Sequence, residues 1–104
     1  MIDLGLRQQD LDLVVSVLST FPTLSEAIVF GSRAKGNYRM GSDVDIALKG
    51  ENLNLDVINT ISFLLNEETT LPYKFDVLNY HSIKNDELLA HINRVGVSIY
   101  KCHG

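Results

Sequence analysis

The stretch from Ala27 to Leu48 reads AIVFGSRAKGNYRMGSDVDIAL, and its order of residue types decides the fold. Ala27-Ile28-Val29-Phe30 is a short apolar, largely β-branched run stopped by Gly31, the pattern of a strand buried inside a sheet. Ser32 to about Asn37 reads as a short helix. Asn37 to Ser42, with glycines at 36 and 41, reads as loop. Val44 to Leu48 then alternates, with Val44, Ile46 and Leu48 pointing one way and Asp43, Asp45 and Ala47 the other.

Working outward, Leu11, Val14, Val15 and Leu18 recur at helical spacing, which predicts an amphipathic helix from about Arg7 to Thr20, ended by Pro22. Asp56 to about Glu67 carries Val57, Ile58, Ile61, Leu64 and Leu65 at the same spacing, with Asn54 as its cap. Lys74 to Tyr80 predicts a strand with Phe75, Val77 and Asn79 on one face and Asp76, Leu78 and Tyr80 on the other. Asp86 to about Val95 reads as a helix capped at Asn85 or Asp86 and stopped by Gly96, and Val97 to Tyr100 as a short edge strand. The result is an α/β (α+β) fold with an α-β-α-β-α-β core, helices packed on a small mixed sheet. Residues 1–104 are expected to form one domain, because the length suits a single core and no linker or repeat interrupts it.

Composition narrows the function. No apolar run approaches the roughly 20 residues that span a bilayer, and Ile2-Asp3-Leu4 lacks the basic-then-apolar start of a secretory signal. A lone cysteine, Cys102, cannot form an internal disulfide, which points to a cytoplasmic protein. The formal net charge of −4 argues against a domain built to hold a nucleic-acid backbone. Yet Arg33, Lys35 and Arg39 fall within seven residues and hold a third of the 9 Lys and Arg. So local a cluster suits a triphosphate better than a polymer.

The chemistry gathers on the acids. Asp43 and Asp45 stand two residues apart on one strand, roughly 6.6 Å between Cα atoms at about 3.3 Å per residue. Asp76 occupies the next predicted strand, within another apolar run. Three carboxylates brought to one sheet face repel one another, and a divalent cation with a taste for oxygen, Mg²⁺ or Mn²⁺, would relieve them. Taken singly, two of the acids have a plainer reading, Ser42-Asp43 as a backbone-bonding turn and Asp76 as a surface acid, whereas Asp45 sits inside the strand and is harder to dismiss. Gly31-Ser32 taken alone is a strand-to-helix turn; as a phosphate site, it would offer helix N-terminal amides, the Ser32 hydroxyl, and charge from Arg33, Lys35 and Arg39. His81, His91 and His103 show no metal-ligand spacing to one another and are expected to be solvated or capping residues. Tyr38 either covers the core or stacks on a base.

The combination Gly-Ser-x10-Asp-x-Asp, with a third acid one helix-and-strand unit later, resembles the nucleotidyltransferase superfamily that includes DNA polymerase β, poly(A) polymerases and aminoglycoside nucleotidyltransferases. The strings Ile28 to Gly36 and Ser42 to Leu48 are most similar to its minimal nucleotidyltransferase domains of the antitoxin type. That resemblance implies a metal-dependent enzyme using ATP. Gly31 and Ser32 would hold the triphosphate, Asp43 and Asp45 the metal ions. Asp76 would complete the metal site and help activate the acceptor hydroxyl. It also implies a small helical HEPN-domain partner, a toxin modified with AMP on tyrosine. A small-molecule (antibiotic-type) nucleotidyltransferase and a non-catalytic nucleotide-binding module are the alternatives.

Overall fold

The computed structural model describes residues 4–39 and 41–102; His103 and the opening Ile2-Asp3 lie outside them. Helix α1 (Gln8–Leu18) leads into β1 (Glu26–Phe30), the single-turn helix α2 (Ser32–Lys35), β2 (Val44–Lys49) and α3 (Leu55–Glu67). β3 (Phe75–Asn79), a 3₁₀ turn (Tyr80–Ser82), α4 (Asp86–Val95) and β4 (Val97–Lys101) complete the chain. The four strands form one mixed sheet in the order β3-β2-β1-β4. β1 runs antiparallel to both β2 and β4, and β2 pairs parallel with β3 through the α3 crossover.

Local chemistry explains most boundaries. The Asn54 side chain accepts from the Val57 amide to open α3, and Asn85 accepts from the Glu87 and Leu88 amides to open α4. α2 stops because Gly36 turns left-handed, with φ 83°. α1 is shorter than the sequence suggests. It ends at Leu18, four residues ahead of Pro22, and the Ser19 and Thr20 hydroxyls donate back to the carbonyls of Ser16 and Val17. The residue expected to close β3, Tyr80, instead opens the 3₁₀ turn, where Asn79 Oδ1 accepts from the His81 amide.

The sheet is clothed unequally. On one face Val29, Val44, Ile46, Leu48 and Phe75 pack with Val14 and Leu18 of α1 and Ile58, Ile61 and Leu65 of α3. The other face carries a smaller cluster of Ile28, Phe30, Ala47 and Ile92, flanked by Leu78, Tyr80, Ile83 and Leu88. β1 thus buries alternate residues on both faces, as its unbroken apolar run requires. Asp45 lies two residues before Ala47, and Asp76 two before Leu78, so both carboxylates share the thinner face, at the strand ends. Among the described residues, no helix is long and apolar enough to cross a membrane.

Candidate active site

Strand register brings the acids together. Asp45 is the partner of Phe30 across the antiparallel β1–β2 ladder and of Asp76 across the parallel β2–β3 ladder. Neighbouring strands lie about 4.8 Å apart, so two carboxylates project side by side from one face. Asp43 precedes β2 and is exposed, not inside the strand. The start of β2 is fixed beside it by Val44 N–H, which donates to the Lys74 carbonyl at 2.8 Å. Only Asp45 is partly buried; Asp76, like Asp43, faces solvent. Burial first, then the negative charges of Asp76 and Asp43, push the Asp45 carboxyl above its ordinary range. The group is therefore short of positive charge.

Gly31 sits against this carboxylate. Its backbone, φ 76° and ψ −154°, occupies a region open essentially only to glycine. A Cβ there would collide with Asp45 Oδ2. A glycine at this turn would let a phosphate approach the backbone closely. The structure shows a nearer reason, room for the Asp45 carboxylate itself. The Gly31 amide donates to Nε2 of His91 at 3.1 Å, and the His91 ring meets Phe30 edge-on, centroids 6.1 Å apart. Accepting that bond requires Nε2 to be unprotonated, so a neutral ring carries its proton on Nδ1.

The basic cluster divides in two. Lys35 and Arg39 are exposed, on the end of α2 and the loop that follows. Arg33 is 3% exposed, unlike Lys35 and Arg39 of the same cluster. Its guanidinium donates from Nε and Nη2 to the Ser42 carbonyl at 3.2 and 2.9 Å, and from Nη1 to the carbonyls of Leu4 and Gly5 at 3.0 and 3.3 Å. The rings of Tyr38 and Tyr73 lie 5.1 and 5.3 Å from the guanidinium carbon. With each of its three nitrogens bonded to a backbone carbonyl and both rings against it, Arg33 braces the backbone immediately before Asp43. Tyr38 accordingly packs on Arg33.

The donor chemistry suits a hard divalent cation. Among the described residues, no three His, Cys, Asp or Glu side chains form a ready-made cage. Mg²⁺ usually takes one or two carboxylates and completes its shell with water and substrate phosphate. Asp45 and Asp76, adjacent and mutually repelling, fit that pattern, with Asp43 interacting through space.

His91, expected from the spacing of the histidines to be solvated or capping, is instead half-buried against the Gly31 turn. A helical projection of α4 finds it: His91 and Ile92 stand three and four residues after Leu88, so all three lie toward the sheet side of the helix. His81, by contrast, accepts a longer bond, 3.4 Å, from the Gly50 amide at a separate exposed site.

This arrangement, a glycine turn closing a buried strand against paired acids on a small mixed sheet, is that of a nucleotidyltransferase domain. A family model described as "Polymerase beta, Nucleotidyltransferase" matches residues 12–103, and the chain belongs to that family. The fold is shared with solved structures. A chain from a toxin–antitoxin complex with AMP-PNP superposes with a TM-score of 0.71 at 19% identity, covering 94% of this chain and 76% of that one. A chain from the complex of a tri-AMPylated Shewanella oneidensis HEPN toxin with its MNT antitoxin gives 0.70 at 18%, covering 93% and 74%. One from the MntA-HepT toxin–antitoxin gives 0.68 at 18%, covering 92% and 74%. No curated protein sequence matches this chain significantly.

Proposed function

We propose that this chain is a single minimal nucleotidyltransferase domain that transfers AMP from ATP, with Mg²⁺ or Mn²⁺, to a tyrosine hydroxyl of a small helical HEPN-type partner in the cytoplasm. The observation that carries the reading is the pairing of Asp45 with Asp76 beside the Gly31 turn, where the Asp45 carboxyl is raised by burial and by like charge. Such a pair is poorly satisfied by the protein alone and well matched to a cation–triphosphate. The likeness to chains from complexes containing AMP-PNP and an AMPylated HEPN toxin supports the donor and the acceptor.

In this reading Gly31 and Ser32 form the phosphate-holding turn, with Lys35 and Arg39 as the exposed cations that add charge to it. Asp43 and Asp45 hold the metal, and Asp76 completes the site. Bound there, the metal would neutralise the triphosphate and stabilise the entering and leaving oxygens. The acceptor oxygen bonds to the α-phosphorus as the bond to the β-phosphate bridging oxygen breaks, and pyrophosphate departs. Asp76, whose exposure leaves it open to a substrate, accepts the hydroxyl proton in this reading. Arg33 acts at one remove, by fixing the Ser42 carbonyl ahead of Asp43.

Intact-mass spectrometry of the partner, incubated with this chain, ATP and Mg²⁺, tests the proposal. The expected result is a gain equal to AMP, abolished by Asp43→Ala, Asp45→Ala or Asp76→Ala. Label on an RNA 3′ end or an aminoglycoside, with the partner unmodified, would replace the acceptor and keep the enzyme class. No labelled acceptor from a chain that binds metal and nucleotide would leave a binding module.

A further inference from the structure

We propose that His91 is a positioning residue for the phosphate-holding turn, acting through its Nε2 acceptor on the Gly31 amide; this rests on the nucleotidyltransferase reading above. Gly31 is held from two sides. The Asp45 carboxylate fills the space where its side chain would be, and the His91 ring takes its N–H. That amide is consequently not a phosphate donor in this conformation. Its bond instead locks the backbone in the glycine-only region and fixes the direction in which Ser32 leaves the strand.

The ring is well placed to hold that geometry. Ile92 beside it is 1% exposed and anchors α4 to the sheet, and Phe30 meets the imidazole edge-on. The helix is tied at a second point, where the Tyr80 hydroxyl donates to Asn93 Oδ1 at 3.0 Å. Tyr80 directly follows β3, the strand carrying Asp76. α4 thus touches the end of β1 at the turn and the segment after β3, and His91 is its only polar side chain bonded to the turn among the described residues. A purely space-filling ring would do as well without an acceptor, and this separates the two roles.

Three proteins decide it: the wild type, His91→Gln, which keeps an acceptor at about the same reach, and His91→Phe, which keeps the ring and loses the acceptor. The primary readout is the affinity for Mn²⁺ with a non-hydrolysable ATP analogue, alongside the KM for ATP in the transfer assay. His91→Phe should weaken both by about tenfold, the scale of one lost hydrogen bond, with kcat changed less. His91→Gln should stay within about threefold of the wild type on the same scale. Hydrogen exchange at the Gly31 amide should be faster in His91→Phe than in the other two, and nitrogen NMR of the wild-type ring should show an unprotonated Nε2. Equal losses in the Gln and Phe variants, or none in either, would overturn the positioning role. A wild type that binds the analogue but transfers no AMP would instead remove the proposed reaction, and the affinity series would still judge His91. A wild type with no affinity for the analogue would end both.

Discussion

Two aspartates drawn into this protein meet opposite surroundings. Asp10, 5% exposed on α1, accepts from Arg7 Nε at 3.0 Å and from the Tyr73 hydroxyl at 2.8 Å. The Arg7 bond, aided by Tyr73 and against the cost of burial, holds its carboxyl below the ordinary range. Tyr73 in turn lies against Arg33, which is itself satisfied by three backbone carbonyls. Every charge in that region has an opposite charge or a dipole to answer it. Asp45, across the sheet, has Asp76 and Asp43 as its charged neighbours, and its carboxyl is raised. The first region is finished without a ligand and the second is not. A fold can carry electrostatic strain at one site because its other buried polar groups are fully matched.

The sharpest way to break this contrast is to neutralise the strained group. Asp45→Asn should lower AMP transfer by about 10²-fold or more, as expected when charge stabilisation of the transition state is lost. Steady-state assays with the partner measure it. Retained activity would mean the site is elsewhere. Next in size is the satisfied region: Arg33→Met should cost on the order of 3 kcal/mol of stability by leaving carbonyls buried without donors. Urea unfolding measures this. Unchanged stability with weakened triphosphate binding would return Arg33 to the phosphate site.

How far these two regions can be read from sequence differs for a physical reason. The strands, the helices and the Asn54 and Asn85 caps depend on neighbours within a few residues, and periodicity exposes them. The paired acids were legible too, since alternation in β2 and β3 puts Asp45 and Asp76 on the faces they occupy. Arg33 was not legible. It stands in a basic cluster with Lys35 and Arg39, and the carbonyls that claim it come from Leu4 and Gly5 near the start of the chain, and from Ser42 across a loop. His91 reaches Gly31 over a separation of 60 residues, and only the packing of α4 on the sheet reveals it. The placement of β4 beside β1 likewise depends on how that helix docks.

A smaller effect sharpens the comparison by sign. Asp10→Asn should lower the melting temperature at neutral pH, whereas Asp45→Asn should raise it. Folding lowers the Asp10 carboxyl, so its stabilisation is present above the unfolded value of about 3.9 and is lost as pH falls through the lowered folded value. Folding raises the Asp45 carboxyl, so its penalty is absent below that unfolded value, grows as pH rises from there toward the raised folded value, and is full above it. The gain from Asp45→Asn should therefore vanish in acid. Melting curves from acidic to neutral pH check both directions, and shifts of the same sign would erase the distinction.

The exposed cations should give the smallest change in stability. Lys35→Ala and Arg39→Ala should each alter it by less than about 0.5 kcal/mol, as surface substitutions usually do. Each should nonetheless weaken ATP binding by about tenfold, the loss of one charge-assisted contact. Calorimetry separates the two quantities, and unchanged affinity in both variants would take these side chains out of the phosphate site.

Whether Asp45 and Asp76 hold a metal-bound triphosphate is read out by thermal unfolding with Mn²⁺ and a non-hydrolysable ATP analogue. A ligand that binds the folded state raises the melting temperature by linkage. The wild type should show a rise that depends on metal and nucleotide together, and Asp45→Asn, whose ligand-free form melts higher at neutral pH, should show none. An equal rise in both proteins would contradict this assignment.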